Sequence, residues 1–296
     1  MIIASNIVKR YGSKLALDDV SIKVNRGRLV SLIGPNGAGK TTLIRILLTL
    51  MKPNRGEVEI LGYNPFKHKN ILKEVGYVQE IPNYPPFLTA KELLELSAKV
   101  KGIDKREIRR VLEFVEMEDF ATMPMIKYSK GMIQRIAIAE ALLGNPSVLI
   151  MDEPNMGIDP FFSLKVRELL QKLKKDNVSI LMTSHEMENV KKLSDEIYML
   201  YRGKIVFNGS VEEMIKKFLG IQVVIETENL KEAEKLLNDL KYVKGIFNEG
   251  NKIVVRLIED RREELLRTLI VNGIKVKGFY MDLNLEEAYS RALKNV

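Results

Sequence analysis

One run of residues, Gly34-Pro35-Asn36-Gly37-Ala38-Gly39-Lys40-Thr41-Thr42, constrains this chain more than any other feature. It matches in full the loop pattern that cradles phosphate, in which glycines let successive backbone N–H groups point inward around an anion. Lys40 supplies a point charge to the outer phosphates, and the Thr41 hydroxyl can ligate Mg²⁺. Such a loop belongs between a buried strand and a helix N-terminus, whose unsatisfied N–H groups attract anions. The apolar run Leu29–Ile33 before it and a helix expected over Thr41–Leu50 after it supply that context.

A second run ends in acid. Val148-Leu149-Ile150-Met151 is uncharged and apolar, as expected of a strand buried on both faces of a parallel sheet, and Asp152-Glu153 follows at once. Ligands of open α/β sheets bind at that carboxyl edge. Asp152 is expected to hold Mg²⁺, directly or through water, and Glu153 to orient and deprotonate an attacking water. The two motifs together predict an α/β fold of the P-loop nucleotide-hydrolase type.

Around these motifs the pattern falls into three regions. Residues 1–83 alternate short β-type runs with turns, at Ile2–Val8, Leu17–Val24, Leu29–Ile33, Gly56–Leu61 and Val75–Val78. Residues 84–145 are mostly helical and open on the proline-rich stretch 82–86. From Ser147 the β/α alternation resumes, and a helix over Val211–Phe218 ending at Gly220 suggests a boundary. The expected domains are thus 1–220, with a helical subdomain near 84–145, and 221–296. The second reads β-α-β-β-α-β with a terminal helix, a small ferredoxin-like α+β unit.

Composition removes several chemistries. There is no cysteine, hence no disulfide, no Cys-ligated zinc and no iron–sulfur cluster, and two histidines, His68 and His185, make a His-rich metal site improbable. No apolar run approaches the ~18–20 residues needed to span a bilayer, and the N-terminus lacks the features of a signal peptide. The chain is expected to be soluble and to reach a membrane only through a partner. Its net charge of +8 lies in residues 1–220, because residues 221–296 hold 13 basic and 13 acidic side chains. That excess reads as solvated surface lysine, although it leaves anionic partners open.

Tyr128-Ser129-Lys130-Gly131-Met132 sits before a helix, ahead of Asp152, and resembles the signature motif of ATP-binding-cassette (ABC) ATPases. The resemblance covers residues 1–220 and implies that core, with an antiparallel β subdomain and a helical subdomain. It also implies that Ser129, Lys130 and Gly131 bind the γ-phosphate held by a second subunit, so hydrolysis needs a homodimer or heterodimer. Tyr11 matches the aromatic that stacks on adenine, Asp159 the loop linking the two catalytic sites, and His185 the switch histidine at the γ-phosphate. ATP and Mg²⁺ are the implied ligands. The implied setting is the cytoplasmic face of a membrane, beneath a separate transmembrane permease subunit, with no nucleic acid expected. The tail Leu285-Glu286-Glu287-Ala288 resembles that of exporter ATPases. A ribosome- or DNA-acting ATPase is the alternative; such relatives usually carry two cassettes or a long coiled-coil insertion.

The sequence departs from that pattern at three places. Flanking anchors put Glu80 where the family has a Gln for Mg²⁺ and water, with Gln79 its immediate neighbour. Lys130 and Met132 replace the first Gly and the Gln of the signature. Glu140 stands where Arg is usual.

Overall fold

The structure, a computed structural model, describes residues 1–155, 157–281 and 284–294. The chain forms two compact units, 1–209 and 210–296.

The first unit begins with strands β1 (Ile2–Tyr11), β2 (Lys14–Val24) and β3 (Leu29–Ile33), helix α1 (Lys40–Leu47), and strands β4 (Arg55–Ile60) and β5 (Val75–Val78). Helices α2 (Ala90–Lys101), α3 (Arg106–Val115) and α4 (Lys130–Leu142) follow, then β6 (Val148–Met151), α5 (Pro160–Lys175), β7 (Ser179–Thr183), α6 (Met187–Leu193), β8 (Glu196–Tyr201) and β9 (Lys204–Gly209). Strands β2-β1-β4 make a three-stranded antiparallel sheet. A second sheet runs β5-β6-β7-β3-β8-β9, parallel except at β9.

Strand periodicity divides the core of this sheet. Leu29, Leu149, Met151, Ile180 and Met182 pack on one side, with the buried faces of α2, α3 and α4. Val30, Leu32, Ile150 and Leu181 pack on the other, with β1, β2, β4 and α1. Alternate side chains of a strand leave by opposite faces, so these runs are apolar on both, with Ser31, Ser179 and Thr183 the buried polar exceptions.

Local chemistry fixes the helix starts. Thr89 and Glu92 form a reciprocal capping box on α2, Ser129 caps α4, and Asp159 caps α5 with Pro160 in its first turn. The helix after the phosphate loop stops at Leu47, short of the expected Leu50, because the chain turns through a left-handed Thr49 at φ 59°. Strand β5 lies so close to α4 that a Cβ on Gly76 would stand 2.1 Å from the Ala141 carbonyl oxygen.

The second unit comprises α7 (Val211–Leu219), β10 (Ile221–Thr227), α8 (Leu230–Asn238), β11 (Val243–Glu249), β12 (Lys252–Leu257), α9 (Arg262–Val271), β13 (Val276–Met281) and α10 (Leu285–Lys294). Its antiparallel sheet runs β11-β12-β10-β13, the order of a split β-α-β fold. Val223, Ile225, Ile253 and Val255 form its core with Ala233 and Leu237 of α8 and Leu265 and Leu269 of α9. The division falls before α7 rather than at Gly220, since α7 packs on α10. Among the described residues, no helix is long and apolar enough to cross a membrane.

The Gly76 contact yields a test. Gly76→Ala is expected to cost about 2–3 kcal/mol or more, because both neighbours are backbone or core and cannot yield cheaply. Urea unfolding should register it as a lower midpoint.

Candidate functional site

Register brings the chemistry to one edge. In the parallel pairs, Leu32 lies beside Thr183 and Met151 beside Met182, so the segments leaving β3, β6 and β7 emerge together. These are the phosphate loop, Asp152-Glu153 and His185. Residues 36–42 line one cleft with Glu80, Asp152, Glu153 and His185.

The loop keeps its shape through glycine. A Cβ at Gly34 would lie 2.2 Å from the Leu200 carbonyl oxygen, and one at Gly39, where φ is 117°, would lie 2.8 Å from that of Ala16. Lys40, only 8% exposed, folds back so that Nζ donates to the Gly34 carbonyl at 2.6 Å and the Pro35 carbonyl at 3.4 Å. Burial pulls its pKa below the usual lysine value, and Glu153, Asp152 and Glu80 pull it back up.

A buried threonine organises the acidic pair. Thr183 Oγ1 donates to Asp152 Oδ1 at 2.6 Å and accepts from the Glu153 backbone N–H at 2.9 Å. Glu153 takes a left-handed φ of 49°, a strained conformation for a side chain of its kind. Its Oε2 accepts from the His185 backbone N–H at 3.1 Å. Its buried Oε1 stands 3.2 Å from His185 Nε2 yet makes no hydrogen bond, leaving an acceptor available in the cleft. Burial raises the Glu153 pKa to about 7, against the lowering effects of the His185 N–H and Lys40. Burial, then Lys40, lower that of His185.

The other expected residues stand elsewhere. Gln79 is exposed and does not line the cleft, whereas its neighbour Glu80 does. Tyr11 ends β1, is 44% exposed, and donates from its hydroxyl to Met51 Sδ at 3.0 Å. Ser129, Lys130 and Gly131 lie at the N-terminus of α4, and none of them lines the cleft. The Ser129 hydroxyl accepts from Met132 N–H at 3.2 Å, and a Cβ on Gly131 would lie 2.9 Å from the Gly157 carbonyl oxygen. Asp159 caps α5 and pairs with Arg135 at 2.8 Å. Met156, in the same loop, lies outside the described residues. Glu140 accepts hydrogen bonds from Tyr84 and Ser97 in place of an Arg-centred pair.

Sequence reading missed Thr183 and Gln134, whose amide donates to the Pro154 carbonyl at 3.2 Å directly behind the acidic pair. A buried polar residue at the end of an apolar strand was the available signal for Thr183.

The sign of the Glu153 effect is fixed by its burial. Between pH 4.5 and about 7 the folded chain holds a proton that the unfolded chain has released, so this group's contribution to stability falls as pH rises through that window. Glu153→Gln should therefore be the more stable protein above that window, by on the order of 1–3 kcal/mol, and lose the advantage below it. Thermal melts across the range test this.

The family model described as ABC transporter matches residues 17–156. The bacitracin transport ATP-binding protein BcrA of Bacillus licheniformis is 40% identical over 293 residues, which cover 96% of this chain and 94% of that protein. The Nod factor export ATP-binding protein I of Ralstonia nicotianae is 35% identical over 221 residues, 73% of this chain and 69% of that protein. A solved dimeric ATP-binding cassette, in a post-hydrolysis state bound to ADP and Pi, matches with a TM-score of 0.66 at 28% identity, over 71% of this chain and 98% of that one. A phosphate loop, an acidic pair and a histidine on one sheet edge, in a chain so related, identify it as an ATP-hydrolysing member of the ABC transporter ATP-binding family.

Proposed function

We propose that this ATPase powers export as one half of an ATP-closed dimer, beneath a separate membrane-spanning partner at the cytoplasmic face. The observation that carries the reading is the division of the phosphate-binding parts. Lys40 sits in the cleft, whereas Ser129 caps, and Lys130 and Gly131 begin, a second helix outside it. A second ATP-binding subunit, identical or related, would bring its own Ser129 against the nucleotide held by Lys40. Export is supported by the likeness to the Nod factor export protein and by the tail resemblance.

Within the cleft each residue has a task. Backbone N–H groups of residues 36–42 and the Lys40 ammonium hold the phosphates. Thr41, Asp152 and Glu80 offer hydroxyl and carboxylate oxygens, the donor set a small hard cation needs when it also binds phosphate. Mg²⁺, when bound, neutralises charge on the phosphates. Thr183 engages Asp152 through Oδ1 and fixes the Glu153 backbone. Glu153 then accepts a proton from the attacking water, and a pKa of about 7 suits it to that task. His185 holds the γ-phosphate side, Tyr11 the adenine side, and Asp159 joins the two sites of the dimer.

Three experiments test this. Glu80→Ala should lower ATPase activity by about tenfold or more and Gln79→Ala by much less; the reverse order would move the role to Gln79. Glu153→Gln with ATP and Mg²⁺ should accumulate as a dimer on size exclusion, and a species that stays monomeric at saturating nucleotide contradicts the closed pair. Recovery of tagged protein from gently solubilised native membranes should bring a polytopic membrane protein with it, not ribosomes or DNA-bound proteins.

A further inference from the structure

The loop from β5 to α2 places Glu80 in the nucleotide cleft and, four positions on, buries most of Tyr84 against the apolar core of α2 and α4. Among the described residues, none forms a turn or loop hydrogen bond with the backbone of residues 79–84. Pro82 has no N–H to give. What tethers this stretch is a side chain: Tyr84 Oη donates to Glu140 Oε2 at 2.7 Å. The other carboxylate oxygen, Oε1, accepts from Ser97 Oγ of α2 at 2.6 Å. Both hydrogen-bond donors are neutral hydroxyls, while the Lys101 ammonium faces the same carboxylate through its field alone, and charge-assisted bonds of this kind are short and strong. Burial and Glu140 together raise the Tyr84 pKa far above its ordinary value, so the phenol remains a donor.

Glu140 is itself anchored. Its neighbour Ala141 presents the carbonyl that leaves no room for a Cβ on Gly76 of β5, so this end of α4 is fixed against the strand that leads into the loop. The loop is therefore held at Val78, whose carbonyl accepts from Asp152 N–H at 2.8 Å, and again at Tyr84, with Glu80 between the two points.

We infer that Tyr84 and Glu140 form a positioning clasp that sets where the Glu80 carboxylate stands in the cleft. The inference rests on the role proposed above for Glu80. Neither residue touches the nucleotide site; they act through the loop.

The test is a set of full-length variants: Tyr84→Phe, Glu80→Ala, the two combined, and Ser97→Ala. Tyr84→Phe keeps the ring and removes one donor. It should lower ATPase turnover by about tenfold, the loss expected for one hydrogen bond to a charged group. It should also raise the Mg²⁺ concentration for half-maximal turnover and leave affinity for metal-free ATP unchanged. In the Glu80→Ala background the same substitution should have little further effect. Ser97→Ala removes the carboxylate's other bond without touching the loop, so it should lower the melting temperature and leave the Mg²⁺ dependence as in the parent. Parent-like kinetics in Tyr84→Phe, an undiminished loss in the double variant, or an equal Mg²⁺ shift from Ser97→Ala would each overturn the clasp. Glu80→Ala with parent-like turnover would overturn the role of Glu80 itself, and the clasp with it.

Discussion

A buried lysine among three acids is the constraint on which the rest of the first unit depends. A lysine only 8% exposed is costly unless the donors and the field of its ammonium are both satisfied. Here two loop carbonyls take its hydrogen bonds, while Glu153, Asp152 and Glu80 supply opposing charge. The acids in turn carry their own burial cost, which appears in the raised pKa of Glu153. Each charge is tolerable only because the parallel sheet delivers the others to the same edge. An error of one residue in the register of β6 would send Asp152 toward the wrong face and strip Lys40 of its compensation. Precision in the sheet and charge balance in the cleft are thus one requirement.

The parts legible in sequence were those in which local chemistry and fold demand the same residues. Glycines at 34 and 39 serve both a phosphate and a backbone approach that forbids any Cβ, so pattern and structure coincide. Helix starts at Thr89, Ser129 and Asp159 carry their own caps, and the strand runs alternate faithfully between two cores. What stayed hidden depends on contacts between distant segments. Its place at the end of an apolar strand marks Thr183 as unusual but does not name its partners, since the bridge to Asp152 and Glu153 exists only once β6 and β7 pair. The choice between Gln79 and Glu80 was likewise a matter of which side chain the loop turns inward. The helix before Gly220 could close either domain, and only its packing on α10 assigns it.

The second unit is built on simpler terms. Four antiparallel strands bury one face under two helices, and its charges balance, so its stability needs no ligand-like compensation of the kind found in the cleft. With every neighbouring pair antiparallel, β10 runs parallel to β11 and β12 to β13, so α8 and α9 each cross between parallel strands separated by one other strand.

Helix α4 has contacts with functional segments along its whole length. Ser129 caps one end, Gln134 and Arg135 reach the segments after β6, and Glu140 and Ala141 hold the other end to the loop and to β5. Thirteen residues of helix make a stiff arm about 20 Å long. With the Ala141 end as fulcrum, a tilt of about ten degrees sweeps Ser129 through about 3 Å, several times the ~0.5 Å that separates a made hydrogen bond from a broken one. The arm turns a small angular change at the strand into an all-or-none contact at its tip.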